Sequence, residues 1–155
     1  MQLYADMGRL GVSSRLKRIS DRLVQDVNDI YQASGIDLEA SCFPLLFLIA
    51  RDGPISLRTA EIQLGTSQPL ISQKVKILIE RDMIKVQRDP DDGRARQMSL
   101  TDKGRDVIAK AQPIWAKMDK AMAELLHPHE GSLFRILSHL ETTLEEENFA
   151  ERVLK

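Results

Sequence analysis

The sequence predicts a mainly α-helical fold with a small β-hairpin, and three observations carry that expectation. Aromatic residues make up 5% of the chain, whereas Leu, Ile, Ala, Arg, Lys and Glu are plentiful, a composition that favours helix over sheet. Apolar residues recur at spacings of three and four over long stretches, the period of one helical face. Between Ile84 and Leu100 the period shortens to two around a segment rich in turn formers, the signature of a hairpin. With 155 residues, 43% hydrophobic and 29% charged, the chain fits one globular domain rather than a disordered segment.

The first stripe runs from Ser14 to Tyr31, where Leu16, Ile19, Leu23, Val27 and Ile30 share a helical face and Gly35 follows as a C-cap. Phe43, Leu46, Phe47 and Ala50 mark a second helix ending near Asp52-Gly53-Pro54. A short third helix over 56–64 turns Leu57, Ala60 and Leu64 inward; Gly65-Thr66-Ser67 closes it, the glycine permitting a sharp reversal. Ser67 is the expected N-cap of a fourth helix, its hydroxyl accepting an orphan backbone N–H, and Pro69 sits in the first turn, where its missing donor costs little. That helix reaches about Arg81, with Ile71, Val75, Leu78 and Ile79 inward and Gln68, Ser72, Gln73 and Lys76 outward. Ile84 and Val86 then alternate with Lys85 and Gln87, and Met98 and Leu100 with Gln97 and Ser99, on either side of Asp89-Pro90-Asp91-Asp92-Gly93-Arg94. Thr101 caps a fifth helix that Pro113 should kink and His127-Pro128 should end. The last helix carries Leu133, Leu137, Leu140 and Leu144 at spacings suited to packing on another helix.

Several function classes are disfavoured at once. The N-terminus lacks the pattern of a secretory signal and no run of about 18 apolar residues occurs, so a cytoplasmic protein with no membrane partner is expected. Cys42 has no second cysteine to pair with, and His127 and His129 flank Pro128 as surface turn residues without companion ligands. No nucleophile with a base, paired catalytic carboxylates or phosphate-cradling glycine loop is evident. The expectation is no enzyme, no catalytic residue, no cofactor and no metal site.

The net charge of −1 hides an uneven distribution. Counted by segment, residues 1–55 carry −1, residues 56–105 carry +3 and residues 106–155 carry −3. DNA affinity depends on a local positive face rather than on the whole-molecule charge, so the basic middle is the place to look for a polyanion partner.

Two short helices joined by a tight turn and followed by a β-hairpin form a winged helix-turn-helix unit. Its second helix is narrow enough for a major groove, and Gln68 and Gln73 are the expected base readers, since a glutamine can pair bidentately with adenine for about 1–3 kcal/mol of discrimination. Ser67, Pro69 and Ser72 fall on the same stretch, and Lys76 further along is expected to meet phosphate. From the hairpin, Arg94 with support from Arg96 is expected to enter the minor groove, where negative potential is enhanced.

The stretch Leu64-Gly65-Thr66-Ser67-Gln68-Pro69-Leu70-Ile71-Ser72, with Arg88-Asp89-Pro90-Asp91-Asp92-Gly93-Arg94 and Ser99-Leu100-Thr101-Asp102-Lys103-Gly104, resembles the multiple-antibiotic-resistance regulator (MarR) family over nearly the whole chain. The resemblance implies a single domain over 1–155, with a winged-helix lobe over about 54–100 and a helical dimerisation region over about 8–34 and 101–150. It implies a DNA-binding transcriptional regulator, and an ion pair from Asp92 that orients Arg94. Gly93 and Gln73 depart from it, standing where many members carry arginine. The first helix, Arg15-Leu16-Lys17-Arg18-Ile19-Ser20-Asp21-Arg22-Leu23, is also similar to the regulator half of proteins fused to a GNAT acetyltransferase.

A homodimer is expected because the stripes containing Leu16, Ile19 and Leu23, and Leu133, Leu137, Leu140 and Leu144, exceed what a small lobe can cover. Such a dimer would set two recognition helices about 34 Å apart on a pseudo-palindromic operator, as a repressor that a small-molecule effector of unspecified chemistry releases. Trp115 and Met118 are candidates either for an effector cleft or for core packing. Cys42, inside the apolar run Cys42-Phe43-Pro44-Leu45-Leu46-Phe47, reads as a small core residue rather than a peroxide sensor. A winged-helix module that docks a protein partner is the alternative reading.

Overall fold

Glycines, prolines and short polar side chains set most element boundaries in the computed structural model, which describes residues 2–88 and 96–155. The order is α1 (Gln2–Asp6), a 3-10 turn (Gly8–Gly11), α2 (Val12–Ala33), a 3-10 turn (Ala40–Cys42), α3 (Phe43–Asp52), β1 (Ile55–Ser56), α4 (Leu57–Leu64), α5 (Gln68–Glu80), β2 (Ile84–Arg88), β3 (Arg96–Leu100), α6 (Asp102–Leu126), α7 (Glu130–Glu146) and α8 (Phe149–Leu154). After α2, Gly35 takes φ +64° and the Ile36 N–H returns to the Tyr31 carbonyl at 2.9 Å. Such a left-handed residue ends a helix most cheaply when it has no Cβ. Thr101 caps α6 as expected: its hydroxyl oxygen accepts the Gly104 N–H at 3.0 Å.

The chain divides into two compact units, Met1–Gln112 and Pro113–Lys155. In the first, Tyr31, Cys42, Leu45, Leu46, Ile49, Ile71, Leu78, Met83, Ile84 and Met98 are almost fully buried. Each large aliphatic among them contributes about 1.5–3 kcal/mol on leaving water. Ile79, expected inside, is 45% exposed, as is Phe47 on α3. Leu45, Leu46, Leu48 and Ile49 fill the buried side of α3, and on α5 the expected Ile71 and Leu78 are buried.

The sheet has three antiparallel strands in the order β1-β3-β2, so the expected two-stranded hairpin gains a partner. Ile55 lies opposite Met98 and Ser56 opposite Gln97 on one side of β3. On its other side Ile84 lies opposite Leu100, Val86 opposite Met98, and Arg88 opposite Arg96. A two-residue strand has no readable period, which is why the sequence did not reveal β1.

In the second unit no described residue is buried in either α7 or α8. Leu133 and Leu137 are half-buried, while Phe134, Ile136 and Leu144 are exposed. α8, which the sequence reading did not include, begins at a capping box: the Asn148 side chain accepts the Glu151 N–H at 2.9 Å and Glu151 accepts the Asn148 N–H at 3.3 Å. Pro113 lies inside α6, which continues unbroken on both sides of it.

Candidate nucleic-acid interface

The helix pair begins at Ser56, whose hydroxyl oxygen accepts the Thr59 N–H at 3.0 Å and caps α4. Gly65 ends α4 in the left-handed region (φ 55°, ψ 31°), and the Thr66 hydroxyl donates to the Leu64 carbonyl at 2.9 Å. The chain thereby reverses within three residues and starts α5 at Gln68.

Ser67 is the N-cap of α5 by backbone geometry (φ −60°, ψ 149°), but its side chain makes no capping bond, contrary to the sequence reading. A capping hydroxyl uses the N–H two or three residues on; Pro69 lacks the nearer, the Leu70 N–H remains, and nothing in the structure explains why Ser67 leaves it unused. Ser67 is exposed, as are Gln68, Pro69, Ser72, Gln73 and Lys76. Gln68, Ser72, Gln73 and Lys76 follow one another at spacings of four, one and three, so they form one polar edge on the side away from Ile71 and Leu78. Leu70 is 52% exposed at the start of the same helix. Lys76 lies 3.8 Å from Glu80, and both side chains stay in solvent. Such an i,i+4 pair contributes only about 0.3–0.5 kcal/mol and leaves the ammonium available to another anion.

The far end of α5 is held electrostatically. Arg81, its C-cap residue, donates from Nη1 to Asp37 at 2.7 Å and from Nη2 to Glu39. Lys103 in the first turn of α6 lies 3.7 Å from the same Asp37. Three segments far apart in sequence thus meet on two carboxylates. Beside them a small cavity of about 180 Å³ is lined by Gly35, Ile36, Asp37, Lys103, Asp106, Val107 and Lys110. At the end of α3, Arg51 donates to Asp52 at 2.5 Å through Nε and to Gln63 at 2.8 Å through Nη2, tying α3 to α4. The Arg51 guanidinium donating to Asp52 holds that carboxyl below its usual value.

Of the hairpin residues singled out from sequence, Arg96 is exposed at the start of β3, whereas Asp92 and Arg94 lie outside the described residues. Arg88, which the sequence reading did not select, stands directly across from Arg96. Cys42 is fully enclosed, and burial pushes its thiol up from the ordinary value. Trp115 and Met118 are half-buried. Among the described residues no three His, Cys, Asp or Glu side chains gather as metal ligands, and no helix is long and apolar enough to cross a membrane.

The sequence pattern of the MarR family matches residues 36–95. The chain is 26% identical over 110 residues, 71% of each protein, to the uncharacterized HTH-type transcriptional regulator YhbI of Bacillus subtilis (strain 168). Its fold is similar to that of the transcriptional repressor CouR, solved bound to a 23-mer DNA duplex: the TM-score is 0.69 at 26% identity, covering 88% of this chain and 96% of that one. A MarR/EmrR family transcriptional regulator from Acinetobacter sp. ADP1 shares the fold at a TM-score of 0.75 and 18% identity, over 87% of this chain and 95% of that one. Residues 36–95 thus match the MarR family pattern, and the fold is similar to that of winged-helix transcriptional regulators.

Proposed function

We propose that the chain is a sequence-specific double-stranded DNA-binding repressor that acts as a homodimer on a pseudo-palindromic operator. The observation that carries the reading is the exposed polar edge of α5, Gln68, Ser72, Gln73 and Lys76, which follows the Gly65 reversal and has no role in the core. Gln68 and Gln73 read base edges, Ser67, Pro69 and Ser72 line the groove, and Lys76 and Arg96 meet phosphates. Arg94, oriented by Asp92, enters the adjoining minor groove. CouR, solved on a duplex, supports DNA as the partner.

Pairing of two chains is supported by apolar side chains that a lone chain leaves in water. Leu16 is 43% and Ile19 49% exposed on α2, beside half-buried Leu23, and Leu140 and Leu144 are 36% and 49% exposed on α7. With Leu133 and Leu137 these form the dimerisation faces, within a division of the chain into a lobe over about 54–100 and pairing segments over about 8–34 and 101–150. A small effector that favours one spacing of the paired recognition helices lowers operator affinity by population shift.

Selection of bound duplexes from a random DNA pool tests the reading. A symmetric consensus with half-site centres about one helical turn apart is expected, with binding that weakens steeply as salt rises. Enrichment of no duplex, or capture of a protein partner insensitive to salt, would overturn it in favour of a protein-docking module.

A further inference from the structure

Arg88 and Arg96 are direct cross-strand partners at the outer end of the β2–β3 pair. Side chains so placed have Cβ atoms about 4.5–5.5 Å apart, and like charges at that separation destabilise the pair. Both residues are exposed. Alternation along β2 puts Arg88 on the same face as Ile84, and on β3 it puts Arg96 on the same face as Met98. Ile84 and Met98 are 2% exposed, so that face is the one turned to the core. The pair therefore continues the inward face of the hairpin beyond the point where the core covers it. Every pairing closer to the core is uncharged on at least one side: Ile84 with Leu100, Lys85 with Ser99, Val86 with Met98, Gln87 with Gln97. The single doubly cationic rung in the described sheet lies at its outer end, in the segment of the chain whose net charge is positive.

We propose that Arg88 and Arg96 together form a phosphodiester-binding clamp at the stem of the hairpin, with Arg88 a DNA-binding residue in its own right. The proposal rests on the DNA-binding reading above. Two guanidiniums converge on one anionic oxygen cluster, each able to donate in a fork. A bound phosphate replaces their mutual repulsion with two charge-assisted contacts, so the rung costs stability in the free protein and contributes affinity in the complex. It positions the hairpin on the backbone and reads no base, because phosphate contacts carry no sequence information.

This arrangement has a signature that a structural role for Arg88 cannot imitate: opposite signs in stability and in binding. Thermal melting and duplex binding at several salt concentrations are measured for the intact protein and for Arg88→Gln, Arg88→Glu and Arg88→Lys, on a duplex selected by the wild-type protein and on an unrelated duplex. Arg88→Gln is expected to melt no lower than wild type and Arg88→Glu higher, since it faces Arg96 with an opposite charge. Both are expected to bind both duplexes more weakly, with the slope of log K against log salt reduced by about 0.9 for each phosphate no longer neutralised. Arg88→Lys is expected to retain most of the slope. A lower melting temperature in Arg88→Gln, or an unchanged salt slope in Arg88→Glu, would overturn the clamp while wild-type duplex binding still stands. Failure of the wild-type protein to bind any duplex would instead remove the reading beneath it.

Discussion

A Cβ added to Gly104 would lie 2.0 Å from the carbonyl oxygen of Met83. The first turn of α6 passes directly over the chain that leads into β2, and the approach is reinforced on both sides: the Thr101 N–H donates to the Met83 carbonyl at 3.1 Å and the Thr101 hydroxyl to the Asp82 carbonyl at 2.6 Å. No side chain can rotate away to relieve such a clash, because the opposing atom is backbone. Gly104→Ala is expected to destabilise by about 1–3 kcal/mol or more, seen as a fall of several degrees in melting temperature. A melting temperature equal to wild type would show that α6 does not approach the strand this closely.

Arg81 joins α5 to the segment before α3 through Asp37 and Glu39. The Arg81 side chain is 31% exposed, so its contribution exceeds that of a free surface pair but is screened by solvent. Arg81→Ala is expected to cost about 1 kcal/mol, and the double change with Asp37→Ala to cost less than the sum of the two singles. Strict additivity in a denaturant cycle would deny the coupling.

Cys42 is fully buried and its thiol is raised above the ordinary value of 9.0, chiefly by loss of water, partly offset by the Ser41 hydroxyl. The folded protein holds this proton to higher pH than the unfolded chain does. Its contribution to stability is therefore complete below the unfolded value and is lost as pH rises through the folded one. Stability of the wild type is expected to fall more steeply above pH 9 than that of Cys42→Ala, and a thiol reagent or mild peroxide at neutral pH should leave Cys42 unmodified until the protein is denatured. Rapid modification of the native protein would contradict the enclosed position.

Asp52 is displaced the other way, first by the hydrogen bonds it accepts from Arg51. A depressed folded value means stability that is present above the unfolded value of about 3.9 and lost as pH falls through the folded one. Asp52→Asn should lie below wild type in stability at neutral pH, and the two should converge in acid. A gap that stays constant from neutral pH down to strong acid would remove the charge from the explanation.

What was legible in the sequence is what local chemistry decides. Gly65 and Pro69 bracket the reversal because one supplies a left-handed residue and the other a first-turn position without a donor, so the helix pair was readable residue by residue. Ile79 was misplaced because a stripe fixes a helix face only to within about one residue's rotation. Arg81 and Asp37 are separated by 44 residues, and no period links them. Arg88 escaped notice because its partner is fixed by strand register, a property of the pairing and not of either strand alone. The Asn148-x-x-Glu151 box was a readable signal that an uninterrupted Leu stripe drew attention away from.

β2 lies at the border of the sheet, with β3 on one side only. A border strand offers a row of unpaired amides and carbonyls onto which a foreign chain can crystallise as an added ribbon, and proteins guard against this with charge. Lys85 and Arg88 occupy that strand in solvent, so a second hairpin docking alongside would have to strip water from two cations at once. The residues that leave this border hospitable to a polyanion also disfavour edge-to-edge pairing with the same strand of another copy.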